Sequence, residues 1–125
     1  MIGYVTLGTN DLSRASAFRY QLLSVIGAKR MMESDRFGAW GVSPAKPSLG
    51  VIKPYDGNAA KVGNSTTISL VVDSQDKVDT LHKKVLELGG KDEGAAGPRG
   101  PGFYCGYFRD LDGNKLNVFC MSHGG

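Results

Sequence analysis

The chain has 125 residues, 15 lysines and arginines against 12 aspartates and glutamates for a net charge of +3, and 41% hydrophobic residues. That composition suits one domain whose core, at this length, buries roughly two-thirds of the unfolded surface without a metal or disulfide as a staple. The excess charge sits in isolated pairs, Lys29-Arg30 and Lys83-Lys84, so nucleic acid is not an expected partner; no run approaches the roughly 18 apolar residues of a membrane span, so neither is a membrane. The opening Met-Ile-Gly-Tyr-Val-Thr lacks the basic and apolar regions of an export signal, which makes the cytoplasm the expected location and Cys105 and Cys120 reduced thiols.

Residues 2–9 alternate as a strand, with Val5 and Leu7 on one face and Tyr4, Thr6 and Gly8 on the other. Asn10 or Asp11 supplies an N-cap for a helix in which Leu12, Ala15, Phe18, Leu22 and Val25 form one apolar stripe, ended by Gly27. Short strands follow near residues 29–34, 36–42 and 48–53. Residues 54–64, PYDGNAAKVGN, have the content of a surface linker. A strand at 66–73 leads to a helix capped by Asp73 or Ser74, with Val78, Leu81, Val85 and Leu88 on one side and Gly89-Gly90 as its stop. Strands near 91–93, 102–109 and 115–120 complete the chain, the last two joined by an Asp-Leu-Asp-Gly-Asn turn. Between them residues 94–102, GAAGPRGPG, read as a mobile flap carrying Arg99.

The two halves repeat. A shift of 63 positions matches Val5, Leu7, Phe18, Leu22 and Gly27 with Ile68, Leu70, Leu81, Val85 and Gly90, and a shift of 67 matches Leu49 and Val51 with Leu116 and Val118. The expected architecture is therefore α+β, a single domain over residues 1–125 made of two tandem β-α-β-β-β units, about 1–53 and about 65–121, forming a curved mixed sheet with the helices outside. If the turn pairs Arg109 with Lys115, Tyr107 lies opposite Asn117 and Cys105 opposite Phe119, with Leu116 and Val118 toward the helices; a one-residue change of register would reverse these faces. The opposite, wet face then carries Tyr4, Thr67, Ser69, Cys105, Tyr107, Asn117, Phe119 and, by expectation, Trp40, with Arg99 and Arg109 near its mouth. Aromatic area with a few placed polar groups suits a small-molecule cleft. His82 reads as a boundary or surface residue and His123 as part of the tail; DLDGN lacks the later ligands of a calcium loop and reads as turn chemistry. Cys105 has no histidine expected beside it to activate a thiolate, so no catalytic residue is assigned.

The segments GYVTLGTNDLSRASAF, GNSTTISLVV and RDLDGNKLNVF, with the duplicated unit, resemble the vicinal oxygen chelate superfamily, which includes glyoxalase I, bleomycin- and fosfomycin-resistance proteins and extradiol dioxygenases. PYDG, DEGAAGPRG and FYCGYFRD look like its bacterial glyoxalase-like, or lactoylglutathione-lyase-like, branch. The resemblance implies the glyoxalase/bleomycin-resistance fold and a homodimer. It aligns the family's metal-ligand positions with Tyr4, Gly50, Thr67 and Asn117, none a strong ligand for a divalent cation, so no metal or other cofactor is expected. The function expected is binding of a small aromatic or anionic molecule by Tyr4, Trp40, Thr67, Ser69, Arg99, Cys105, Tyr107, Asn117 and Phe119. The alternatives are a lactoylglutathione-lyase-like lyase or isomerase acting on a thiol or glutathione conjugate, and an interaction protein with a vestigial cleft.

Overall fold

The computed structural model describes residues 2–63 and 65–121. His123 lies outside the described residues. The chain divides into two compact units, Met1–Val62 and Gly63–Gly125, and the same order of elements is built in each. Residues 54–62 form no helix or strand and begin with a turn in which the Gly57 N–H donates to the Pro54 carbonyl at 3.1 Å.

Unit 1 runs β1 (Tyr4–Gly8), α1 (Leu12–Leu23), a 3-10 turn (Ser24–Ile26), β2 (Lys29–Glu33), β3 (Phe37–Gly41) and β4 (Ser48–Ile52). Its sheet has the order β1-β4-β3-β2, with β1 parallel to β4 and the other pairs antiparallel. Asp11 is the N-cap of α1, its Oδ1 accepting from the Arg14 N–H at 3.1 Å. Asn10, the other candidate cap, accepts from the Ala60 N–H at 2.7 Å instead. The stripe Ala15, Phe18 and Leu22 packs on β3, β4 and β2, and Gly27, at φ 78°, ends the 3-10 turn in the left-handed conformation that a Cβ would oppose. Arg19 and Leu23 are buried beside the stripe. Helical spacing puts Arg19 four residues after Ala15 and three before Leu22, on the buried side, and its long apolar stem lets a charged residue be covered there.

Unit 2 runs β5 (Ile68–Val71), α2 (Gln75–Glu87), β6 (Lys91–Pro98), β7 (Phe103–Arg109) and β8 (Lys115–Met121), with sheet order β5-β8-β7-β6 and the one parallel pair, β5 with β8, in the equivalent place. Ser74 is the cap of α2; Asp73 pairs with Lys77 Nζ at 2.9 Å, and that hydrogen bond lowers the Asp73 carboxyl below its ordinary range. Val78, Leu81 and Val85 are fully buried against Phe108, Leu116 and Val118, the core of the unit. The hairpin register is as the turn dictates, with Arg109 opposite Lys115, Tyr107 opposite Asn117 and Cys105 opposite Phe119.

Two expectations need correction here. His82 is buried, not a surface residue: its Nε2 lies 3.1 Å from both Asp92 Oδ1 and the Tyr107 carbonyl oxygen, so the imidazole ties α2 to β6 and β7. Residues 94–102 are no flap as a whole, because β6 continues to Pro98 through two register breaks. Only the tip turns, with the Arg99 N–H donating to the Phe103 carbonyl at 2.7 Å and the Phe103 N–H to that of Gly100 at 3.3 Å. Glycine and proline mark a bulged strand in this case, since backbone pairing with β7 outweighs their low strand preference.

The stop after α2 uses its two glycines differently. Gly89 has φ 96° and turns the chain, whereas Gly90 is there for space: a Cβ on it would collide with Val85 Cγ1 and lie 2.8 Å from the Arg109 carbonyl oxygen. Gly90→Ala is expected to cost about 1–3 kcal/mol by forcing α2 off β7. A thermal melt should show the midpoint lowered by about 3–6 °C per kcal/mol; an unchanged midpoint would mean that the junction relaxes freely.

Candidate functional site

The face of the unit 2 sheet turned away from α2 carries two parallel rows of side chains. The first crosses three strands in register, Tyr107 on β7, Asn117 on β8 and Ser69 on β5. The second is apolar and runs Cys105, Phe119 and Val71 over the same strands, with Phe103 against Phe119 at 5.4 Å between ring centroids. Alternation forces this division, because Leu116 and Val118 go under the helix and Asn117 and Phe119 must take the other side.

Asn117 is the residue that stands out. It is 4% exposed, and its Oδ1 is buried with no hydrogen-bond partner among the described residues. Buried acceptors are nearly always satisfied, and one that is not costs about 1–3 kcal/mol. Tyr107 beside it carries the Lys115 ammonium over its ring at 5.3 Å, so part of that ring is taken and Phe119 and Phe103 are left to offer stacking area. At the far edge Arg99 folds back along β6, with Nη2 donating to the Ala95 carbonyl at 2.7 Å. Arg109 serves the hairpin instead of the mouth, bonding Glu93 and the Gly113 carbonyl, and this ion pair holds the Glu93 carboxyl below its usual range. Thr67 lies one residue short of β5 and is exposed. Val71, Phe103 and Lys115 were not among the expected site residues, although strict alternation from Ser69, Cys105 and Asn117 places each of them on this face.

In unit 1 the face away from α1 carries Tyr4, 70% exposed, with Thr6, Gly50 and Ala39 in one cross-strand row beside it. Trp40 is not on it. A Cβ on Gly38 would lie 3.0 Å from Trp40 Cη2 and 3.8 Å from Ser16 Oγ of α1, so Gly38 and Trp40 share the helix face, and Trp40 is 1% exposed. Its bulk draws it under the helix, with the Arg30 guanidinium over its ring at 5.5 Å.

A separate depression of about 330 Å³ lies at the start of α2, between Ser74, Pro98, Phe103 and Tyr104. Its polar groups serve the helix: Ser74 caps it, and the Tyr104 hydroxyl donates to Asp79 Oδ1 at 2.6 Å. That bond raises the phenol above its ordinary 10.0. A raised folded-state value gives stability that is complete below pH 10 and lost as the pH climbs through the folded value. Melting midpoints followed upward from pH 9 should therefore fall more for the native chain than for Tyr104→Phe; equal slopes would show that the bond contributes nothing.

No protein-family model matches the sequence, and no curated protein does. Among solved structures, a glyoxalase/bleomycin resistance protein from Albidiferax ferrireducens superposes with a TM-score of 0.90 at 29% identity, over 98% of this chain and 99% of that one. The chain has the fold of the vicinal oxygen chelate superfamily. A fosfomycin resistance protein from Listeria monocytogenes (TM-score 0.74, 17% identity, 98% and 93% of the two chains) and a lactoylglutathione lyase from Agrobacterium tumefaciens (0.69, 20%, 96% and 92%) share that fold and, at these identities, the fold alone.

Vicinal oxygen chelate metalloenzymes need imidazole, carboxylate or thiolate donors, and the residues at the aligned positions do not fit a divalent cation. In unit 1 Tyr4 offers only a phenol oxygen, and Gly50 has no side chain; even a Cβ there would press on Thr6 Cγ2 at 3.2 Å and the Gly38 carbonyl oxygen at 3.3 Å. In unit 2 Thr67 and Asn117 offer only neutral oxygen. Among the described residues no group of three or more His, Cys, Asp or Glu is placed to hold a metal, and no helix is long and apolar enough to cross a membrane.

Proposed function

We propose that this glyoxalase/bleomycin-resistance-type protein binds a small aromatic or anionic molecule without the family metal, on the open sheet face of unit 2. The single observation that carries the reading is the buried Oδ1 of Asn117, without a hydrogen-bond partner among the described residues, set between Tyr107 and Ser69 and beside the apolar row. A ligand N–H or O–H would complete it, and aromatic area next to a few polar groups is what small-molecule sites use. Thr67, exposed beside β5, remains part of the proposed set; Tyr4, exposed on the sheet of unit 1, is not on this face, and neither is Trp40. The homodimer that the resemblance implies belongs to the same proposal and is read by light scattering, a one-chain mass counting against it.

The test is a thermal-shift screen of aromatic and carboxylate compounds against protein stripped with a chelator. The expected result is a ligand that raises the midpoint as well in chelator as with added zinc or nickel. Stabilisation only with one equivalent of metal per chain overturns the metal-free reading. Turnover of a hemithioacetal would move the protein to the lyase or isomerase class.

A further inference from the structure

Strand β6 is short of side chains where it passes the polar row. Gly94 lies opposite Tyr107 and Gly97 opposite Cys105, with register breaks on both sides of Gly94. A Cβ on Gly94 would sit 3.4 Å from Arg99 Nη2 and 3.4 Å from Tyr107 Cδ2, and one on Gly97 would sit 3.3 Å from Arg99 Nη1. The guanidinium thus occupies the space that two missing side chains leave, on the open face and next to Tyr107. It is held there by the Ala95 carbonyl at 2.7 Å and, more weakly, the Pro98 carbonyl at 3.4 Å, while the turn that bonds Arg99 N to the Phe103 carbonyl fixes its backbone. An arginine has five N–H donors in a rigid fork, so this one keeps donors to spare after both contacts.

The orphaned acceptor of Asn117 lies on the same face, two strands away through Tyr107. At the usual strand spacing the backbones of β6 and β8 are roughly 9–10 Å apart. One end of the row therefore donates to an anion, and the other accepts a hydrogen bond. Between and beside them lie Cys105 and Phe119.

We propose that this face takes an elongated aryl carboxylate, its carboxylate on Arg99 and a hydroxyl or amino group at its far end donating to Asn117. The inference rests on the ligand-binding reading above and adds the length and the two ends of the ligand. A rigid ring fits against Phe119 and Val71, the accessible members of the apolar row, whereas Cys105 is buried beneath; a two- or three-carbon acid is too short to reach both ends. Asn117 is 4% exposed and its Oδ1 is itself buried, so a single hydroxyl reaches it only as the side chains over it give way, which limits that end of the ligand to a slender group. The Gly94 and Gly97 positions make Arg99 a preset anchor, and they act as positioning residues.

The probes are 4-hydroxycinnamate, the shorter 4-hydroxybenzoate, 4-methoxycinnamate and 4-hydroxycinnamamide, measured by calorimetry on the full chain. 4-Hydroxycinnamate should bind at least tenfold tighter than each of the other three. Arg99→Gln should remove the preference for acid over amide, and Asn117→Leu the preference for hydroxyl over methoxy, each without touching the other. Gly97→Ala, which crowds the guanidinium, should weaken the acid and spare the amide. The proposal is overturned if both variants lose all four probes equally, or if neither preference changes. If no probe binds while another compound in the screen does, the span and the ends assigned here are wrong and the ligand-binding reading stands; if nothing binds, both fall.

Discussion

Trp40→Ala is expected to cost about 3–5 kcal/mol, a large part of the 5–15 kcal/mol that holds a domain of this kind together, and to leave ligand recognition by the unit 2 face unchanged. The indole is 1% exposed, pairs across the strands with Leu49 and reaches over Gly38, where no side chain competes for the space. Removing it opens a cavity under α1 that Gly38, which has no side chain, does not fill. Its Nε1 has no hydrogen-bond partner among the described residues, so the tryptophan also carries a small desolvation cost that Trp40→Phe removes. Phenylalanine should accordingly be milder than alanine by more than its volume alone suggests. Urea unfolding measures both variants. A Trp40→Ala protein with native stability and no ligand response would return Trp40 to the site and refute its assignment to the core.

Asn117→Leu should behave in the opposite sense. Leucine is close to asparagine in shape and has no acceptor to leave unsatisfied, so the variant is expected to be as stable as the native chain or more stable by about 1 kcal/mol. Its affinity for a ligand that donates to Oδ1 should fall by about 5–150-fold, the cost of leaving that donor unpaired, about 1–3 kcal/mol. Stability and binding moving in opposite directions is the signature of a polar group kept for function at the expense of the fold. Melting curves with and without ligand test it. A variant that loses several kcal/mol in the absence of ligand would show that Asn117 is structural and that its oxygen has a partner in solution.

Period and punctuation made much of this fold legible. The stripes Ala15, Phe18, Leu22 and Val78, Leu81, Val85 are where helical spacing puts them, and the caps fall at Asp11 and Ser74 because short polar side chains there meet free N–H groups. The DLDGN turn builds itself: Asp110 accepts from the N–H groups of Asp112 and Asn114 at 2.9 Å each, and once that turn closes, the register from Arg109 to Phe103 follows. The neutral character of Tyr4, Gly50, Thr67 and Asn117 is likewise a property of the residues themselves. These are local facts, decided within a few residues of where they are read.

Other features depended on partners far away in the chain. Nothing in GAAGPRGPG announces a strand, because its pairing comes from β7 and not from its own preference. Trp40 is as suited by chemistry to a cleft as to a core, and only the side of β3 that meets α1 chose between them. His82 is buried because Asp92 and the Tyr107 carbonyl are both within reach of one nitrogen. The unpartnered oxygen of Asn117 and the seat of Arg99 over two glycines are properties of contacts, present or missing, between strands distant in sequence. Side-chain identity and spacing set which groups this protein has; tertiary contact set which of them are left with unused bonding capacity, since a hydrogen bond is satisfied or not only once its neighbours are in place.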